Sequence, residues 1–257
     1  MKALDEIRIV LDHTSHPGNI GAAARAMKVM ELDRLHLVEP ADFPNAQATA
    51  MASSADDLLD RAQVHSTLVQ ALEGCTLVLG TSARCRSVAQ ELLEPREAAA
   101  RALEESGPVA IVFGCEKSGL DNAALDRCHA LVSIPTGVDY MSLNLAQAVQ
   151  VLCYELHMMA RVGGEVHSVE ARVPASAPAT AERMEVFFDR LERTLAAIRF
   201  STPGQTETLH RRMRRLFQRA RPDDDELNML NGMLSRTLKL VTADERQPEQ
   251  QKTESDR

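Results

Sequence analysis

Short, almost wholly apolar runs constrain this chain more than any other feature. CTLVLG at Cys75–Gly80 and VAIVF at Val109–Phe113 hold hardly a polar side chain. A strand with one wet face alternates apolar and polar residues. A strand covered on both faces is apolar throughout, as in parallel sheets. Ile7–Leu11 and Leu131–Ile134 are further β-rich runs, and Arg34–Val38 alternates like a strand. Between the runs lie helical stretches at Ile20–Met30, Pro95–Glu105 and Asp121–Cys128, then a long closing helix over Leu143–Arg161. Strands alternating with helices predict an α/β domain over residues 1–164, with ligands at the carboxyl ends of its parallel strands.

Beyond Gly163-Gly164 the pattern changes. EVHSVEARVPASAPAT, residues 165–180, is rich in Ala, Ser and Pro and reads as a linker. No strand signal follows. Ala181–Ile198 spaces Met184, Phe187, Phe188, Leu191, Leu195 and Ile198 along one helical face. Glu207–Ala220 places Leu209, Met213, Leu216 and Phe217 together, and Asp224–Val241 does so with Leu227, Leu230, Leu234 and Leu238. Asp223 is a natural N-cap for the last of these. Residues 181–242 are therefore expected to form a small helical bundle. Residues 243–257 are polar and read as a disordered tail.

With 44% hydrophobic and 26% charged residues in 257, the chain can bury a core, which excludes a mostly disordered or collagen-like chain. No apolar run reaches the length of a membrane span, and MKALDEIRIVLDHTS lacks the pattern of a secretory signal. Five scattered cysteines with no C-x-x-C pair suggest reduced thiols and a cytoplasmic protein without structural zinc. The net charge is −8, and it is unevenly spread. Residues 1–164 hold 13 Lys+Arg against 21 Asp+Glu, and 13 − 21 = −8; the remainder hold 16 of each. Within the remainder, Arg199–Arg221 carries seven arginines against Glu207 alone. Arg211, Arg212, Arg214, Arg215 and Arg219 make a basic stripe suited to a polyanion on an otherwise acidic chain.

Three segments at strand ends carry the chemistry. HPGNIGAAARAMKVM follows the first strand and opens a helix, with Gly18 and Gly21 flanking Asn19 and with Arg25 further along. Free N–H groups and small residues there suit close approach of a ligand. A turn followed by a surface arginine is the plainer alternative. The segment is not G-x-G-x-x-G, which counts against a nicotinamide dehydrogenase. VAIVFGCEKSGLDN ends a strand with Gly114, Glu116 and Gly119 in a turn. That pattern serves a ligand or simply a turn. IPTGVDYMSLNLAQAV leads from a strand through Ser142-Leu143-Asn144 into the long helix, where either polar residue could be a plain N-cap. The order of all three loops within one domain favours a shared site.

GNIGAAARAM, FGCEKSGL and IPTGVDYMSLNLAQAV resemble the three motifs of the SpoU/TrmH group of SPOUT RNA methyltransferases. IRIVLDHTSHPGNIGAAARAMK, LVLGTSAR and the helical extension resemble its TrmJ branch of tRNA 2′-O-methyltransferases, which modify the pyrimidine at position 32 of the anticodon loop. Such a member has a parallel sheet ending in a deep trefoil knot, a rare exception to the usual connection rules. It binds S-adenosylmethionine at the knot, needs no metal, and acts on tRNA as a homodimer with the active site near the subunit interface. By motif match, Thr81, Ser82, Ala83, Gly114, Ile134, Met141, Ser142 and Leu143 would line the cofactor. Asn19, Arg25, Glu116, Ser142 and Asn144 match the catalytic positions. Ser142 or Asn144 would then orient the ribose hydroxyl, and Glu116 would hold either Arg25 or the loop. An RNA-binding module without activity is the rival reading, and the complete motif set counts against it.

Overall fold

The computed structural model describes residues 4–82, 90–137, 142–162, 178–201 and 205–254. The chain divides into two compact units, residues 1–173 with 180–182, and residues 174–179 with 183–257. Most of the expected linker lies outside the described residues. So do Ala83 and Met141.

In the first unit the elements run β1 (Ile7–Asp12), α1 (Pro17–Val29), β2 (Arg34–Val38), α2 (Ala46–Ala52), α3 (Asp56–Asp60), β3 (Gln63–His65), α4 (Leu68–Ala71) and β4 (Leu77–Thr81). They continue with β5 (Leu92–Leu93), α5 (Pro95–Glu104), β6 (Val109–Phe113), α6 (Asn122–Leu125), β7 (Ala130–Val132) and α7 (Leu145–Val162). The seven strands form one sheet in the order β3-β2-β1-β6-β4-β7-β5, and every pairing is parallel. β7 lies between β4 and β5, which precede it in the chain.

Strand periodicity splits the core into two layers. Ile7, Ile9 and Leu11 of β1 pack with Ala23 and Met27 of α1, Ala99 of α5 and Val149 and Leu152 of α7. Val10 joins Val78, Val112 and Leu131 against Leu72, Ala124 and Leu125 on the other face. The apolar runs of β4 and β6 are buried on both sides, as their composition predicts. The sequence gives little sign of β3, β5, α3 and α4, because elements of two to five residues cannot display a period. The helix expected over Asp121–Cys128 shortens to α6, with Asp121 capping it by accepting from Ala124 N at 2.7 Å. Gly21 serves packing rather than ligand approach: a Cβ there would sit 1.9 Å from the Ala48 carbonyl oxygen of α2.

One polar pair lies inside this sheet. His36 of β2 is 3% exposed, and its Nδ1 is 2.9 Å from Nε2 of His65 on β3. The shared contact holds a single proton, and Arg8 and Arg34 are near enough to repel a second positive charge. Burial first, and then Arg8, pushes His36 down to about 4.

The second unit contains α8 (Ala181–Ala197), α9 (Thr206–Ala220) and α10 (Asp224–Glu254). Met184, Phe187, Phe188, Leu191, Leu195 and Leu227 form its core, with Leu209, Met213 and Phe217 packed on it. Leu216 departs from the expected apolar face and is 45% exposed, while Gln218 is buried. Asp223 caps α10 in a reciprocal box: Glu226 N donates to Asp223 Oδ1 at 2.9 Å, and Asp223 N donates to Glu226 Oε2 at 3.0 Å. α10 continues to Glu254, through most of the segment whose composition predicts a tail. The Ala, Glu, Arg, Gln and Lys residues there have high helix propensity, while Pro248 opposes it.

The basic stripe divides by role. Arg214 makes a bidentate pair with Glu185 of α8, at 2.7 and 2.8 Å, and its guanidinium lies 4.4 Å from the Phe188 ring centroid. Arg214, one of the five arginines expected to contact RNA, is engaged here in holding α9 to α8. Arg211 and Arg215 are half-buried. Arg212 and Arg219 stand exposed beside Leu216.

Two outcomes follow from this packing. In the folded state His36 stays neutral between pH 6.5 and about 4, whereas an unfolded histidine binds a proton. Stability should therefore fall as pH drops through that window, by on the order of 3 kcal/mol from His36. Urea melts at pH 7 and pH 4.5 should show a smaller difference for His36→Phe than for the parent. Arg214→Ala should destabilise the second unit by about 1.5–3 kcal/mol, because it leaves Glu185 unpaired and uncovers Phe188. Arg212→Ala should stay within about 0.5 kcal/mol in the same melts.

Candidate active site

The loops after β1, β6 and β7 meet at the carboxyl edge of the sheet. β1 and β6 are neighbours, with Leu11 opposite Phe113, so the loops that leave them emerge side by side. After Phe113 the chain turns sharply. A Cβ at Gly114 would lie 2.2 Å from Leu120 N, and Gly119 adopts φ +69°, so only glycine fits the first position and glycine is favoured at the second. That turn presents Glu116 toward the start of α1.

The start of α1 is built to receive it. His16 is the N-cap, its Nδ1 accepting from Gly18 N at 3.2 Å, and Pro17 follows at the first helical position. Glu116 Oε2 accepts from Ser15 N at 2.9 Å and from Ser15 Oγ at 2.8 Å. Its Oε1 accepts from Asn19 Nδ2 at 2.7 Å and from His16 N at 3.3 Å. Asn19 Oδ1 in turn accepts from Asn144 Nδ2 at 2.9 Å. Asn144 Oδ1 accepts from Ala146 N at 2.9 Å, so Asn144 is also the cap of α7.

An ionised carboxylate only accepts, and this fixes the direction of the whole chain of contacts. Asn19 must turn its NH₂ to Glu116 and its oxygen to Asn144. Asn144 must turn its NH₂ to Asn19 and its oxygen to the helix. Partial burial pushes the Glu116 carboxyl up, but the hydrogen bonds from Ser15, Asn19 and the backbone outweigh it and hold the group below its ordinary value. Each asparagine keeps one N–H beyond those spent inside the network.

Three of the five residues at catalytic motif positions, Asn19, Glu116 and Asn144, are thus in direct sequence-remote contact. Glu116 holds the α1 loop and not Arg25. Arg25 is exposed and makes no hydrogen bond or ion pair among the described residues. Six residues beyond Asn19, it lies about 120° around α1, with Val29 one turn further on the same face. Ser142 is exposed and makes no hydrogen bond to the network among the described residues. Ser15 and His16 were not singled out in the sequence. The signal for them is a polar residue before Pro17, the pattern of a capped helix start.

Beside the network, His13 adopts φ 54°. Its Nδ1 is 2.8 Å from Asp12 Oδ1 and its Nε2 is 3.0 Å from Glu39 Oε2. The hydrogen bond to Asp12 leads in raising the imidazole pKa, and burial raises that of Asp12. This clamp fixes the direction in which the loop leaves β1.

The residues matched to a cofactor also cluster by topology. β6, β4 and β7 are adjacent, so Gly114, Thr81, Ser82 and Ile134 leave neighbouring strand ends. Thr81 Oγ1 donates to Val112 O at 3.1 Å, and Ser82 N donates to Val132 O at 3.0 Å. Leu143, 37% exposed, lies on the loop after β7. None of the described residues in this group is charged. Among the described residues no group of three His, Cys, Asp or Glu could hold a metal ion, and no helix is long and apolar enough to cross a membrane.

Known proteins share this architecture. Residues 6–154 match the model of the SpoU rRNA methylase family, and residues 182–250 match that of the tRNA methyltransferase TrmJ C-terminal domain. The tRNA (cytidine/uridine-2′-O-)-methyltransferase TrmJ of Pectobacterium atrosepticum is 45% identical over 92% of this chain and 98% of its own. The tRNA (cytidine/uridine/adenosine-2′-O-)-methyltransferase TrmJ of Pseudomonas aeruginosa is 47% identical over 93% and 96%. The crystal structure of TrmJ from Z. mobilis superposes with a TM-score of 0.79 at 32% identity, covering 89% of this chain and 97% of that one. A probable methylase family protein from Haemophilus influenzae gives 0.62 at 41% identity, covering 94% and 99%. With its three motif loops tied together at the sheet edge and a matching helical extension, this chain belongs to the SpoU family of RNA methylases, within its TrmJ branch.

Proposed function

We propose that the protein transfers a methyl group from S-adenosylmethionine to the ribose 2′-hydroxyl of a tRNA pyrimidine, at position 32 of the anticodon loop. The observation that carries this reading is the Glu116–Asn19–Asn144 network, which joins three loops from distant parts of the sequence. The names of the relatives supply the substrate class, and the resemblance of the motifs supplies the position. β7 lying between β4 and β5 is the strand order that a threaded connection needs, which supports the knot.

When bound, S-adenosylmethionine supplies a methyl group already activated on sulfonium. Thr81, Ser82, Gly114, Ile134 and Leu143 would hold it through backbone groups and apolar contact. What remains for the protein is alignment and charge. The spare N–H groups of Asn19 and Asn144 can orient the ribose oxygen. Glu116 is unsuited to take a proton, because its oxygens are occupied and its pKa is lowered. A guanidinium is a fixed cation and a poor base, so the role of Arg25 is to stabilise negative charge developing on the oxygen and to hold a neighbouring phosphate.

Arg25 lies away from the network within one protomer. A homodimer would bring the exposed face of α1 against a second copy's site. Val29 is 63% exposed on α1, and Tyr154 is 46% exposed on α7, the helix packed beside it, which supports an interface there. The exposed Arg212 and Arg219, with Arg211 and Arg215, supply the attraction for RNA that the acidic first unit lacks. Such an enzyme belongs in the cytoplasm with its substrate.

Purified protein given S-adenosylmethionine and unmodified tRNA should place one 2′-O-methyl group in the anticodon loop and sediment as a dimer. Nuclease mapping that finds the methyl group on a base would overturn the reading. Arg25→Ala should lower turnover by roughly 10²–10³ with little change in cofactor affinity; retention of most activity would leave Arg25 a plain surface charge. Replacing both Arg212 and Arg219 by Ala should weaken tRNA binding and flatten its logarithmic salt slope by about 0.7–0.9 per lost phosphate contact. An unchanged slope would show that these arginines do not meet phosphate.

A further inference from the structure

We infer that Ser15 is a positioning residue for methyl transfer, acting through Glu116 on the carboxamides of Asn19 and Asn144; this rests on the function proposed above. Ser15 gives Glu116 Oε2 both its backbone N–H, at 2.9 Å, and its hydroxyl, at 2.8 Å. Two donors on one oxygen hold the carboxylate in a single rotational setting. Its other oxygen, Oε1, is then aimed at Asn19 Nδ2, 2.7 Å away. A carboxylate free to swing would let Asn19 turn, and Asn144 would turn with it, since Asn144 Nδ2 meets Asn19 Oδ1 at 2.9 Å.

The order of the contacts gives Ser15 its weight. Asn144 is set by Asn19 on one side and by the start of α7 on the other. Asn19 is set by Glu116, and Glu116 is set chiefly by Ser15, since the fourth contact, from His16 N, is the longest at 3.3 Å. Ser15 also stands at the exit of the His13 turn, whose φ of 54° is held by Asp12 and Glu39. The serine is thus presented from a braced backbone. Ser15 is exposed, so its hydroxyl adds little to the core, and its hydrogen-bond partner lies 101 residues away in sequence. A hydroxyl that serves only local backbone capping would bond within its own turn. This one bonds the loop after β6.

The mechanism makes a kinetic demand. Misaligned carboxamides still allow tRNA and cofactor to bind, but fewer bound ribose hydroxyls are in line with the methyl group. The loss should therefore fall on kcat and leave KM nearly unchanged.

The test is a double-mutant cycle on the full-length protein with S-adenosylmethionine and unmodified tRNA. Ser15→Ala should lower kcat about 5- to 30-fold, with KM for both substrates within about twofold and the melting temperature nearly unchanged. Ser15→Thr, which keeps the hydroxyl, should recover kcat to within about threefold. In a Glu116→Gln background, Ser15→Ala should add less than about twofold, because both residues act through one contact. Full kcat in Ser15→Ala would overturn the inference. So would a loss that appears in KM alone, or one that multiplies fully with Glu116→Gln. A parent protein that methylates no ribose would instead overturn the proposed function, so the two failures are distinguishable.

Discussion

The Glu116 carboxylate is the contact on which the site depends. Its two oxygens gather donors from Ser15, His16 and Asn19, and through Asn19 they reach Asn144. One ionised group thus joins the loops after β1, β6 and β7. Because a carboxylate offers no donor, it also decides which way each amide faces. Charge-assisted hydrogen bonds are short and directional, so a site built on them is ready before substrate arrives.

That arrangement is possible only because of the sheet beneath it. Parallel strands all end at one edge, and the order β1-β6-β4-β7 brings the ends of strands far apart in sequence next to one another. Both faces of the sheet are covered, so the strand ends cannot drift. Rigid strands therefore set the loops, and Gly114, with no room for a side chain, sets the turn that delivers Glu116. The second unit follows a different logic. Its helices pack around three phenylalanines, and one arginine of its basic stripe is spent on holding α9 to α8. Arg212 and Arg219 of the same helix stay exposed.

Much of this architecture is legible in the sequence. The doubly buried strands declared themselves by composition, and the long helices by period. The three motifs stood at strand ends, as the alternating pattern required. The short elements were hidden, since a strand of two or three residues carries no pattern. Helix periodicity also grouped Leu216 with the core-facing residues of α9, whereas Leu209, Met213 and Phe217 pack on the core and Leu216 is 45% exposed. Arg214 looked like its neighbours, and only Glu185 on another helix distinguishes it.

By itself, then, the sequence determined which residues are apolar and with what spacing, and so the α/β class, the helical extension and the segments that carry chemistry. Those properties are local, and side-chain hydrophobicity acts on them directly. Tertiary structure decided who meets whom: that Glu116 grips Ser15 and Asn19 and not Arg25, and that Asn144 is both a helix cap and a link in the network. Such contacts span about a hundred residues of chain. They depend on strand order and on the direction of hydrogen-bond donors, and neither is written in the spacing of residues along a single segment.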